Sequence, residues 1–205
     1  MGSKIQRINS YEDERFSKDI LKEHGAFIVD DKFKCSFKII NIDSAVMYFD
    51  KEINAQDLID EFRFYSEHII NFYNEYMELI KAFPPLKIFD IGIMDIQPSQ
   101  FFVDRDKVEA IRSFIEKEED ICIPVVKINN NIVSLDGHTR LFFAVKMGYS
   151  KVRAYYTGPG DYIDGFVEEA RKRGVYSPYD LKLLSHEEYQ IKWNKFCDDY
   201  FKERE

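Results

Sequence analysis

The stretch from Ile121 to Tyr156 constrains the fold most, because it spells several elements in succession with little room between them. Ile121 to Ile128 is rich in β-branched residues and reads as a strand. Asn129-Asn130-Asn131 tolerates the left-handed backbone of a tight hairpin turn, and Ile132 to Leu135 returns as a second strand. Asp136-Gly137 breaks the strand pattern. Gly137 to Met147 then reads as a short apolar helix stopped by Gly148, and Lys151 to Tyr156 as a last strand. Strand, hairpin, helix and strand in that order call for a small mixed sheet with helices against it, an α+β class.

The remaining chain divides around this unit. Residues 1–85 are expected to form an α+β segment packed on the core. In it, Ser10 would cap a helix with Glu12, Asp13 and Glu14 in its first turn, and Gly25 would stop that helix. Phe37 to Ile40 and Ala45 to Phe49 read as a hairpin around Asn41 to Ser44. A long helix is expected over Ala55 to Phe83, from the helical spacing of Leu58, Phe62, Ile69, Phe72, Tyr76, Leu79 and Ile80, with Pro84-Pro85 ending it. Residues 86–157 form the expected central domain. It includes a strand over Lys87 to Ile93, a loop over Asp95 to Gln100 and a helix over Asp104 to Lys117. Residues 158–205 follow the breaker Gly158-Pro159-Gly160 and read as a helical extension. Its last helix starts at Ser185, with Glu188 completing a capping box, and carries the stripe Tyr189, Trp193, Phe196 and Phe201.

Bulk properties narrow the function classes. The chain has 205 residues, 45% hydrophobic and 16% aromatic, enough for a packed core. Its net charge of −8 argues against nucleic-acid binding, which needs clustered Lys and Arg. Cys35, Cys122 and Cys197 contain no CxxC pair, so they encode neither a zinc cluster nor a dithiol motif. Separated, odd-numbered cysteines, a polar start after Met1-Gly2-Ser3-Lys4 and no membrane-length apolar run lead to the expectation of a cytoplasmic protein.

The segment that carries chemistry is Asp136-Gly137-His138-Thr139-Arg140, where a strand becomes a helix. First-turn amides have no partner inside a helix and attract anions, phosphate above all. Gly137 lets a ligand approach closely. Arg140 adds a guanidinium fork that fits phosphate oxygens, and Thr139 a hydroxyl. His138 could move protons, and Asp136 could position a divalent metal such as magnesium against the phosphates. Plain structural roles stand beside these: Asp136 as a helix cap and Arg140 as a partner for a surface acid.

In order along the chain, Ile96-x-Pro98-Ser99, Asp104-x-x-Lys107-Val108, Ile123-Pro124-Val125-Val126 and the 136–140 turn together resemble the ParB/sulfiredoxin-like superfamily. That resemblance implies a nucleotide-binding core in which the turn holds phosphates, with ATP or ADP as the expected ligand. It carries Arg140 and Lys107 over as phosphate contacts, with Ser99 and Gln100 beside them on the proline loop. His138 stands where sulfiredoxins have their reactive cysteine. The turn is most similar to that of the free serine kinases, which have a glutamate near the proline loop where this chain has Gln100. The implied function is a nucleotide-dependent phosphotransferase or hydrolase acting on a small molecule. The alternative is a non-catalytic nucleotide-sensing or protein-interaction module, whose aromatic flanks could pack on a partner or a second copy.

Overall fold

The computed structural model describes residues 4–50, 52–158 and 160–204. Pro159 of the expected breaker, and the start Met1 to Ser3, lie outside the described residues. Two compact units divide the chain, residues 1–86 and 87–205.

The first unit is built on a six-stranded sheet, with strands in chain order across it. They are β1 (Ile5–Arg7), β2 (Ala26–Val29), β3 (Phe33–Asn41), β4 (Ser44–Tyr48), β5 (Asn71–Tyr73) and β6 (Leu79–Ala82). Helix α1 (Lys18–Lys22) precedes β2, and α2 (Ala55–Tyr65) follows β4. The expected hairpin is present as β3 against β4, with Ile39 opposite Ala45 and Asn41 opposite Ser44. Phe27, Phe37, Phe62 and Phe72 are almost fully buried. Phe37 stacks on Phe62 with centroids 4.1 Å apart, and the other rings meet these two edge-on.

Two expectations for this unit are corrected. The helix at Ser10 does not form. Ser10 Oγ accepts from the Glu12 amide and Asp13 Oδ1 from the Arg15 amide, and such local turns compete with a helix. The helix begins later, capped by Ser17. His24, at φ 54°, takes the left-handed stop expected of Gly25. Gly25 is needed for another reason: a Cβ there would lie 2.2 Å from the Phe37 carbonyl oxygen.

The long helix over Ala55 to Phe83 is also not continuous. It ends at Tyr65, and the rest is the pair β5–β6. Arg63 turns back to donate to the carbonyls of Glu67 and Ile69 at 3.2 Å. Asn74 Oδ1 accepts from the amides of Tyr76 and Glu78, which closes a tight turn with Met77 at φ 61°. Ser66, Asn71 and Asn74 are weak helix formers, and their side chains favour such turns. Phe72 and Ile80 keep a helical spacing by coincidence while serving as strand residues.

The second unit carries a five-stranded mixed sheet in the order β7-β12-β10-β11-β8. Its strands are β7 (Ile88–Gly92), β8 (Ile96–Pro98), β10 (Cys122–Ile128), β11 (Asn131–Ser134) and β12 (Lys151–Tyr156). Strands β10 and β11 form the expected hairpin, with Asn129 and Asn130 at positive φ. Strands β12 and β10 are parallel, as are β11 and β8. The α+β class holds for both units. Between β8 and β10 lie β9 (Phe102–Asp104) and α3 (Arg105–Ile111), shorter than the helix expected to reach Lys117. Helix α4 (His138–Met147) sits between β11 and β12 and stops at Gly148, φ 75°.

The C-terminal residues add α5 (Ile163–Lys172), β13 (Lys182–Leu184), α6 (His186–Tyr189), a wide turn over Gln190–Asn194 and α7 (Lys195–Lys202). Strand β13 pairs with β9 in parallel, and Ser185 and Glu188 form the expected capping box. Trp193, Phe196 and Tyr200 join Phe101 and Phe166 in the same core as the five-stranded sheet. Among the described residues, no helix is long and apolar enough to cross a membrane.

Because Phe37 touches Phe27, Phe62 and Phe72, Phe37→Ala should cost the first unit about 3–5 kcal/mol, read as a lowered midpoint in urea unfolding followed by circular dichroism. A loss below about 1 kcal/mol would contradict this aromatic core.

Candidate functional site

Strands β8 and β11 run parallel, with Pro98 beside Ser134, so their C-terminal ends open side by side. One leads into Ser99-Gln100 and the other into Asp136-Gly137. Gly137 is the N-cap of α4, at φ 79° and with no side chain to cap the helix. The first-turn amides are thus left for another acceptor. A Cβ on Gly137 would lie 2.6 Å from Ile123 Cγ2, so a glycine is required on both counts.

His138 points inward and is 4% exposed. Its Nε2 accepts from the Ser99 amide at 3.2 Å, and the hydroxyls of Ser99 and Ser134 lie 3.2 and 3.1 Å from the same nitrogen. An acceptor at Nε2 leaves the ring proton on Nδ1. The Ser99 hydroxyl also donates to the Ser134 carbonyl at 2.8 Å. Burial is the main reason the His138 pKa is pushed down to about 4; Arg140 lowers it further, and Asp136 and the Ser134 backbone oppose the shift. At neutral pH the ring is an uncharged tie between two strand ends.

The polar face of the turn looks the other way. Asp136 is 66% exposed at its side chain, and Arg140 is 23% exposed and 3.9 Å from it. Arg140 Nη1 donates to the Cys122 carbonyl at 2.5 Å, which fixes the guanidinium over Gly137. Dense surroundings disfavour the charge of Asp136. Arg140, the Gly137 amide, His138 and Lys107 together outweigh that and hold its carboxyl below the ordinary range. Thr139 is half-buried, and its hydroxyl has no protein partner among the described residues.

Lys107 comes from the first turns of α3. Its ammonium lies 5.1 Å from the Tyr189 ring centroid, close enough to act on Asp136, and forms no ion pair among the described residues. Gln100 donates to the Phe102 carbonyl and, at 3.2 Å, to the Tyr189 hydroxyl. The expected residues therefore lie around the start of α4, with Lys107 and Arg140 both acting on Asp136, and with Asp104 and Asp106 on the helix start that carries Lys107. Gln100 is occupied as a donor and offers no basic oxygen in place of a carboxylate.

Some of the surroundings were not expected. Tyr189, in sequence part of an aromatic stripe, bridges Gln100 and Lys107. Ser134, four residues before His138, is fully buried beneath the turn. Cys122 is also sealed, its thiol pushed up to about 11 by burial, so no thiolate stands at the turn. Asp136 joins no group of three or more metal-ligating side chains among the described residues. A groove of about 470 Å³ lined by Asn129, Val133, Asp164, Val167 and Arg171 contains none of the expected residues.

The depressed pKa of His138 has a definite sign. Above pH 6.5 the ring is neutral in both folded and unfolded chains, and its contribution is complete. Below that the unfolded chain gains a proton that the folded one refuses until about pH 4. Stability should fall by up to about 3 kcal/mol across that window. Urea unfolding at pH 7 and pH 5 should show a smaller pH difference for His138→Gln than for the native chain; equal differences would remove His138 from this role.

No protein family profile matches the chain, and a search of curated proteins found no match. Among solved structures, protein Atu1540 from Agrobacterium tumefaciens aligns with 47% of this chain at 19% identity and a TM-score of 0.33. The chain spans 61% of that protein's length.

Proposed function

We propose that the second unit binds the phosphates of a nucleotide, ATP or ADP, at the start of α4. One observation carries the reading: Arg140 and Lys107 both act on the Asp136 carboxylate beside an uncapped helix start with a glycine at its mouth. The order of motifs resembling the ParB/sulfiredoxin-like superfamily supports the same reading.

The parts follow from the geometry. Arg140 meets phosphate oxygens with the N–H groups not used by Cys122, Lys107 adds a point charge, and the amides after Gly137 close the cradle. Thr139 contributes a hydroxyl. Magnesium, if carried in with the phosphates, would be met by Asp136, which alone supplies no complete cation site. His138 positions the turn from inside. Chemistry of the class expected, phosphoryl transfer to a small acceptor or hydrolysis, rests mainly on positioning and charge neutralisation.

Binding without turnover is the second reading, and the state of His138 favours it. Its ring is buried and already bonded, and Gln100 cannot act as a base. Release of inorganic phosphate, or transfer to a hydroxyl compound, decides for the enzyme.

Thermal unfolding in the presence of ATP, ADP and other nucleotides, with and without magnesium, tests the site. A binder should raise the midpoint by mass action. Arg140→Ala should abolish the rise, and Lys107→Ala should weaken apparent affinity roughly tenfold, the worth of one charged contact. No stabilisation by any nucleotide at millimolar concentration would end the proposal.

A further inference from the structure

Strands β9 and β13 are parallel, with Leu184 beside Asp104, so a second pair of strand-to-helix junctions opens together. Asp104 caps α3: its Oδ1 accepts from the Asp106 amide at 2.9 Å. Its other oxygen, Oδ2, lies 2.8 Å from Nδ1 of His186, the first residue of α6. The Asp104 side chain is 1% exposed, while His186 is 48% exposed and Asp106 is exposed. These three residues each offer a ligand atom, all within 4.8 Å of one another. Glu187 is also close enough to act on His186. Three carboxylates thus surround one imidazole, and one of them is sealed from water.

We infer that Asp104, Asp106 and His186 form a site for a borderline divalent cation of the zinc class. Bonds of about 2.0–2.2 Å to nitrogen and oxygen place neighbouring ligand atoms roughly 3–3.5 Å apart. The Asp104–His186 contact is already near that edge, so the ion takes the place of the proton between Oδ2 and Nδ1. The Nδ1 proton is displaced, and the ring stays a neutral imidazole with its proton on Nε2, so the Gln190 amide, whose nitrogen lies 3.2 Å from Nε2, has to turn away or present its oxygen. Asp106, exposed and with its ligand atom already within 4.8 Å of the other two, supplies the third ligand, and water takes the remaining position on the exposed face. The positive ends of α3 and α6 oppose a cation there, and the three carboxylates offset them. An imidazole ligand favours zinc over magnesium, which prefers an all-oxygen shell. This assignment does not rest on the phosphate reading.

The test uses the full chain stripped with EDTA and titrated calorimetrically with zinc chloride or magnesium chloride. One equivalent of Zn²⁺ should bind with a Kd of about 1 µM or tighter, and Mg²⁺ at least roughly tenfold more weakly. Asp106→Asn and His186→Gln should each weaken Zn²⁺ binding by about tenfold or more. Both should leave the far-ultraviolet circular dichroism unchanged, and Asp106→Asn the metal-free melting midpoint as well, whereas His186→Gln lowers that midpoint because the buried Asp104 carboxylate loses its partner. Asp104→Asn also removes the cap of α3, so the two more exposed residues carry the test. Absence of Zn²⁺ binding below ~100 µM overturns the assignment. So does native-like Zn²⁺ affinity in either variant, or Mg²⁺ bound as tightly as Zn²⁺.

Discussion

A neutral imidazole shut away from water joins three stretches of backbone at the heart of the second unit. Through Nε2, His138 takes the Ser99 amide and lies against the Ser134 hydroxyl, while its own backbone begins α4. The end of β8, the end of β11 and the start of the helix are therefore held by one ring. Such an interaction tolerates little substitution. A buried amide without its acceptor loses of the order of 1–3 kcal/mol, and a charged ring in that place would lose more. The same burial that makes His138 a strong tie keeps its ring uncharged at neutral pH. The two properties cannot be separated, because a ring free to trade protons with solvent would not be sealed under the turn.

With the turn held from beneath, its outer face can be charged without being loose. Arg140 spends one nitrogen on the Cys122 carbonyl, and that bond fixes the plane of the guanidinium over Gly137. A ligand meeting Arg140 encounters a group whose rotamer entropy is already largely lost, and that raises affinity without adding contacts. Asp136 works in the opposite direction. It competes for the same guanidinium at 3.9 Å, with most of its side chain in water, where such a pair contributes little. A phosphate bearing two or more charges would outbid a single solvated carboxylate, and a neutral or monoanionic ligand would not.

The legible parts of the sequence were those whose signals are local. The Asn129-Asn130 turn, the stop at Gly148 and the Ser185–Glu188 box each declare themselves within a few residues, and each stands as read. So did the placement of a glycine where strand gives way to helix. The long helix was misread because apolar spacing in residues 69–80 fits a helix as well as it fits two short strands. What decided the matter was Asn74 and Arg63 closing turns through side-chain bonds, which periodicity cannot register. At the site, residues near in sequence were found and residues near only in space were missed. In sequence Tyr189 is one more ring in a stripe and Asp104 the start of a helix, with nothing local to tie His186 to either. Their pairing depends on β13 lying beside β9, a contact spanning some eighty residues that no local pattern announces.

That pairing also gives the C-terminal residues a part in the site. Phe101, next to Gln100, is packed edge-on against both Trp193 and Phe196, and Arg173 lies 4.4 Å over its ring. Each such ring contact adds about 0.5–1.5 kcal/mol beyond the area it buries. The loop that carries Ser99 and Gln100 is thereby pinned from one side by His138 and from the other by residues more than seventy positions later. Tyr189 completes the arrangement, taking Gln100 at its hydroxyl and Lys107 over its ring. A loop fixed from both sides cannot serve as a lid. What remains exposed at the start of α4 is the rim, where Asp136 stands with most of its side chain in water and its carboxylate 3.9 Å from Arg140.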